Sequence, residues 1–153
     1  SSDVCSSDLE SALLYREVND EWTLIDELIA SDGSLDDQFG GSVSIHGNTA
    51  VVGAVRDDDG GLDSGSAYVF VRSGGTWTQQ AKLTASDPGV ADYFGVSVAL
   101  SGDTIAVGAY KHDLPPFKYD AGSVYVFVRD GTSWSQQAKL TASKRPPPRY
   151  PSA

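Results

Sequence analysis

The chain has 153 residues, 40% of them hydrophobic, with 21 acidic and 11 basic residues and a net charge of −10. That length can bury a sizeable core, no apolar run reaches the roughly 18 residues of a membrane span, and the acidic balance disfavours a nucleic-acid partner, which needs clustered Lys and Arg. One Cys and no Met are present, so disulfides and Cys-based metal sites are excluded, and the sequence is expected to be a piece of a longer one.

An internal repeat organises the chain. At an offset of 55, Trp22 pairs with Trp77, Phe39 with Phe94 and Gly53 with Gly108; from Trp77 to Trp134 and from Gly65 to Gly122 the offset is 57. Residues 1–9 precede the first copy, and residues 2–9 resemble a translated sequencing-library adapter, so 1–9 are expected to stand outside the fold. The alternative is a disordered polar N-terminus. Residues 10–38 read as a partial unit, two strands and a loop. Taken alone, Asp20 to Ala30 could pass for a short amphipathic helix, but its partners TWTQQAKL and SWSQQAKL read as strands and override that.

Residues 39–93 form a complete unit with its connecting loop, and 94–143 a second. Each opens at Phe-Gly (Phe39-Gly40, Phe94-Gly95), followed by a strand with one aliphatic and one small face (Ser42, Ser44; Ser97, Ala99). Small side chains suit an innermost strand near a central axis. Tight turns at Gly47-Asn48 and Gly102-Asp103 read as two-residue hairpins. The returning strands AVVGA and IAVGA read as buried on both faces. In the next strand Tyr68 and Phe70 share one face, with Ala67, Val69 and Val71 on the other; Tyr125 and Phe127 repeat this. The last strand is more polar and fits a sheet edge. Each unit therefore gives four short antiparallel strands, as in a propeller blade. Residues 144–153 (KRPPPRYPSA) break the pattern and read as a non-repeat, Pro-rich tail.

The paired Phe-Gly and Gly-Ala of both units, followed by GSAYVF and GSVYVF, make residues 10–143 similar to the FG-GAP repeat family, which includes the propeller of integrin α chains. The third letter of that name departs, since Val55 and Tyr110 stand at its Pro position. The resemblance implies an all-β propeller of about seven blades, of which this chain supplies about two and a half four-stranded antiparallel blades. It also implies an extracellular or cell-surface location and a recognition or adhesion role toward a protein or glycan ligand. Further blades are needed to close the ring, so apolar blade faces are expected to stay exposed. The family's Ca²⁺ loop between the first two strands does not carry over, because the turns at Gly47 and Gly102 are too short.

Asp57, Asp59 and Asp63 sit in one Gly-containing loop at positions that could supply Ca²⁺ ligands, with Val55 where a first ligand is expected; the alternative is a solvated acidic loop. Loops that differ between the copies are where recognition is expected, at Arg56, Asp58 and Leu62 in the first and Tyr110, Lys111, His112, Phe117 and Tyr119 in the second. His46 and His112 each stand alone and read as surface histidines. Asp32/Asp87 and Asp37/Asp92 read as braces of the inter-blade loops. No nucleophile elbow, phosphate loop or zinc motif is present, so the chain is expected to be non-catalytic. The alternative is an accessory propeller of a larger secreted or surface enzyme.

Overall fold

The computed structural model describes residues 2–7, 11–112 and 121–141, the first of these as backbone only. Among the described residues every regular element is a strand. A three-stranded sheet, β1 (Ser2–Ser7), β2 (Ser11–Val18) and β3 (Glu21–Ile29), comes first. Two four-stranded antiparallel meanders come after it. One is β4 (Phe39–His46), β5 (Thr49–Ala54), β6 (Ser66–Ser73) and β7 (Thr76–Leu83). The other is β8 (Phe94–Ser101), β9 (Thr104–Ala109), β10 (Ser123–Asp130) and β11 (Ser133–Thr141). These are blades of an unclosed propeller, and the tail at 144–153 lies outside the described residues.

Residues 2–7, expected to stand outside the fold, run antiparallel to β2, with Val4 opposite Leu14 as Val51 is opposite Val69. Unpaired backbone groups along an edge of β2 accept an extended chain whatever its side chains. The segment with helical appearance is β3, paired to β2. Its register slips between Leu14 and Tyr15, and the same slip recurs between Val69 and Phe70 and between Val126 and Phe127.

Period-2 alternation divides each blade between two interfaces. Val52, Tyr68, Phe70 and Trp77 of the middle blade pack with Ala12, Leu14 and Leu28 of the first sheet. Its Val51, Ala67, Val69 and Leu83 face the other way, onto Phe94, Ile105, Val107, Tyr125 and Phe127. The aromatic side is built edge-on: Phe94 meets Tyr125 at 5.4 Å and Phe127 at 6.0 Å, as Phe39 meets Tyr68 and Phe70.

At the inner side of this interface the two backbones interlock. Phe94 N–H donates to Ser64 O at 2.9 Å, Gly65 and Phe94 form a parallel bridge, and Ser42 Oγ donates to Gly95 O at 2.6 Å. A Cβ on Gly95, whose φ is 91°, would lie 2.3 Å from Ser66 O, and one on Gly53 would lie 2.1 Å from Gly95 O. The small face of β4 is thus small because β8 runs against it, with Ser44 Oγ accepting from Leu100 N–H.

Outer ties repeat from blade to blade. Gln79 exchanges two hydrogen bonds with Ser31, and Gln136 does the same with Ser86. Gln80 occupies the slipped position of β7 and accepts from Trp134 Nε1–H at 2.8 Å. Ile25 stands at that position in β3, and Trp77 Nε1 is buried without a partner.

Gly95→Ala is expected to lower stability by about 2–3 kcal/mol, since a Cβ there is both strained and in collision. Gly102→Ala, with a φ of 58° but nothing within 4 Å of the added carbon, should cost only about 1 kcal/mol. Denaturant unfolding of the two variants checks the ranking.

Candidate functional site

Meander topology sends the connections of each blade to opposite ends. The hairpin turns at Gly47-Asn48, Gly74-Gly75, Gly102-Asp103 and Gly131-Thr132 share one end. The segments 55–65, 110–112 and 121–122 and the inter-blade loops 30–38 and 84–93 share the other. All the sequence-predicted site residues among the described ones belong to the loop end. At the turn end the arginines of β6 and β10 serve the fold: Asn48 Oδ1 accepts from Arg72 Nε and Nη2, and Asp103 Oδ1 from the matching atoms of Arg129.

The acidic loop of the first copy closes around a lysine. Lys82 Nζ, from the far end of β7, donates at 2.8 Å to both Asp32 Oδ2 and Asp57 Oδ2, and also to Asp59 Oδ2. The Tyr68 hydroxyl lies 2.9 Å from Asp32 Oδ1 and from Asp57 Oδ2. Asp57 is buried, and Asp59 N–H donates to its other oxygen. Burial pushes the Asp57 carboxyl up, but hydrogen bonds from Lys82, the Asp59 amide and Tyr68 outweigh it and hold the group below its ordinary value. Asp32 is lowered in the same way, burial opposing and Lys82 and Tyr68 prevailing. Desolvation raises the Tyr68 hydroxyl, and its carboxylate neighbours raise it further. For Lys82 burial works downward, and the three carboxylates more than offset it, so the ammonium is held firmly.

This geometry separates the residues of the Ca²⁺ reading. Asp57 and Asp59 are brought together, but on the Lys82 ammonium, which takes the place among the carboxylates that a cation would need. Asp63 is not brought there; it sits at φ 53°, its N–H donates to Asp58 Oδ1 and its carbonyl accepts from Tyr93 N–H. Among the described residues no group of three metal-type side chains has ligating geometry.

His112 corrects the reading of it as a surface residue. It is 7% exposed and occupies the position of Asp57 in the second copy. Its Nδ1 lies 2.6 Å from Asp92 Oδ2 and its Nε2 lies 2.7 Å from Lys139 Nζ. An ammonium only donates, so Nε2 accepts and Nδ1–H donates to Asp92. Lys139 also bonds Asp87 Oδ2, and Tyr125 OH donates to Asp87 Oδ1 at 2.9 Å. The loop of one blade is thereby clamped to the Tyr and Lys of the next. Of the expected loop braces, Asp37 and Asp92 do that work, accepting from Ser34 N–H and Gly89 N–H. Asp32 and Asp87 belong to the clamp instead. Sequence reasoning missed Lys82 and Lys139; the signal available was that Asp32 recurs at the offset of 55 and Tyr68 and Lys82 at the offset of 57.

The remaining candidates lie on the surface. Arg56, Asp58 and Leu62 are exposed around a cavity of about 530 Å³ that Asp32, Asp36 and Asp37 also line. Tyr110 is 52% exposed and stacks on Tyr93 at 5.4 Å and 18°, with Lys111 Nζ 5.2 Å from the Tyr93 ring. His46 is exposed, and its Nδ1 accepts from Gly102 N–H. Phe117 and Tyr119 lie outside the described residues.

Lys82→Met leaves buried Asp57 without its counter-charge and should cost about 3 kcal/mol. Lys139→Met, whose partners are a half-exposed carboxylate and a neutral ring, should cost about 1 kcal/mol. Adding Asp57→Asn to Lys82→Met should recover part of the loss in a double-mutant cycle. Because Asp57, Asp32 and Asp87 are all held below 3.8, they bind protons less readily folded than unfolded. Their stabilisation is full above about pH 4 and drains as the pH falls below it. Asp37, raised by burial and by Asp57, runs the other way and blunts the slope. Thermal melts from pH 3 to 6 should show a smaller acid loss for Lys82→Met than for the unmodified chain.

No curated protein matches the chain. The FG-GAP repeat family profile matches residues 22–70 and 77–127, which take in the Phe-Gly interlock, the Gly-Ala strand ends and the aromatic strands of both units. The chain belongs to the FG-GAP repeat family.

Proposed function

We propose that the protein is a non-catalytic recognition or adhesion module, outside the cell or at its surface, that binds a protein or glycan ligand through the loop end of its blades. FG-GAP repeats are generally extracellular, which supports the location. The reading rests on one observation. The two copies share the Phe-Gly interlock and the clamp geometry and diverge on the exposed loop end. There the second copy presents the Tyr93–Tyr110 stack under Lys111, where the first has Gln38, Val55 and Arg56.

A stacked, half-exposed aromatic pair with a cation over it suits such contacts. Rings supply large rigid area at small entropic cost, and the ammonium adds a directed donor. Next to it, Asp58 and Leu62 present an acidic and an apolar side chain on the neighbouring loop. Such a surface favours ligands with donor groups above an apolar plane, as sugar rings and mixed peptide surfaces have.

The combined change Tyr110→Ala and Lys111→Ala should weaken binding of the protein to cell surfaces and to arrayed glycans at least tenfold. Its melting temperature should barely move, because neither side chain belongs to a core cluster. Undiminished binding would overturn the loop-end assignment.

A further inference from the structure

At the turn end of the interface between the first sheet and the middle blade, three side chains depart from the repeat. Arg16, Glu17 and Ile25 stand where the middle blade has Val71, Arg72 and Gln80. A cavity of about 820 Å³ opens there, walled by these three together with Ile45, Arg72 and Trp77. In a chain of net charge −10, two arginines and one glutamate make up the Arg, Lys, Asp and Glu of its wall. Arg72 keeps Nε and Nη2 on Asn48 and lies 5.6 Å from the Trp77 ring. Arg16 is half-buried and enters none of the ion pairs among the described residues.

A buried donor beside this cavity lacks an acceptor. At the next interface Trp134 Nε1–H donates to Gln80 Oε1, the slipped residue of β7. Trp77 holds the same place one blade earlier, paired with Arg72 as Trp134 is paired with Arg129. The slipped position that matches Gln80 there holds Ile25, which walls the cavity and offers no acceptor. Trp77 is 9% exposed, and its Nε1 is buried without a partner. A buried N–H left unpaired costs free energy, which an acceptor delivered to it recovers.

We propose that this cleft binds a small organic monocarboxylate, held by the Arg16 guanidinium and accepting from Trp77 Nε1–H, with the charge of Arg72 beside it. Ile25, 36% exposed at the mouth, turns aside to admit it. The wall sets the class of ligand. A guanidinium is a planar fork matched to a carboxylate, and an indole only donates, so the ligand supplies acceptors. Glu17 offsets one of the two arginines, which leaves a single positive charge to balance and repels a second negative one. Ile25 and Ile45 give the body of the ligand apolar walls, which inorganic phosphate could not use. His46, also at the wall, has its Nδ1 taken by Gly102 N–H. The cleft lies at the turn end, so the inference is independent of the loop-end reading.

The whole chain, isotopically labelled on nitrogen, is titrated with hexanoate and with glucuronate while its three indole N–H signals are followed by NMR. Trp22→Phe and Trp134→Phe identify the other two signals and leave Trp77 in place. A saturable shift of the Trp77 signal is expected with at least one of the acids, and none with hexanol, glucose or inorganic phosphate. The tighter acid tells whether the carboxylate comes on an aliphatic chain or on a sugar ring. Arg16→Leu, which puts an apolar residue where the middle blade has Val71, should weaken binding about tenfold or more. Ile25→Gln, which gives Trp77 the acceptor that Trp134 has, should move the Trp77 signal without any acid and abolish its response to one. No saturable response to either acid, an equal response to the neutral compounds or to phosphate, or an unchanged response in either variant overturns the proposal.

Discussion

The structure depends on a close approach of two backbones where one blade opens against the last. Gly95 O lies in the space a Cβ of Gly53 would fill, and a Cβ on Gly95 itself would meet Ser66 O. At that separation carbonyls and amides of adjacent blades bond directly, and dispersion contacts reach full strength because no side chain holds the sheets apart. The approach explains the repeated Phe-Gly and Gly-Ala pairs together: one supplies the inserted glycine and its aromatic anchor, the other the glycine that makes room. The position of β8 then fixes where Tyr125 and Phe127 pack, and through them the whole aromatic side of the interface.

A second tie crosses the same interface further out, and its chemistry is less strict. The clamp needs a lysine donating to the preceding inter-blade loop and to the residue beneath it. A carboxylate serves at Asp57 and a neutral imidazole at His112, because an ammonium requires only acceptors. The consequences for charge differ. Asp57 makes a buried ion pair that is costly to break. His112 relays between Lys139 and Asp92 and carries no charge of its own in this arrangement. Two copies of one blade can therefore share a geometry while differing in the charge they bury.

The period of the repeat carried most of the architecture. Strand number, hairpin turns, the sidedness of Tyr68 and Val69 and the polar edge strands all follow from alternation and offset, which local chemistry imposes. The clamp was not legible in the same way. Lys82 sits in a strand that reads as a solvated edge, and only the fold shows its side chain reaching the preceding inter-blade loop. His112 looked isolated because its partners, Asp92 and Lys139, are 20 and 27 residues away in the chain. The acidic loop resembled a metal site for a related reason: carboxylate spacing is visible in a sequence, but the lysine that satisfies the carboxylates is not. Ile25 in the place of Gln80 was readable at the offset, yet its meaning needed the bulge that aims Gln80 at Trp134.

Assigning polar groups to partners separates scaffold from surface. At the turn end Arg72 and Arg129 are held by Asn48 and Asp103 and lie over Trp77 and Trp134. On the outer side the glutamines are engaged with serines of the adjacent loop. At the loop end Asp32, Asp57, Asp87 and Asp92 are engaged in clamps and braces, while Asp58, Leu62, Tyr110 and Lys111 are not needed for either. A residue the fold does not use can vary without cost to stability, and the copies part at Tyr110 and Lys111, where the first has Val55 and Arg56. The loop end therefore has room to acquire a ligand that the interlocked inner strands do not have.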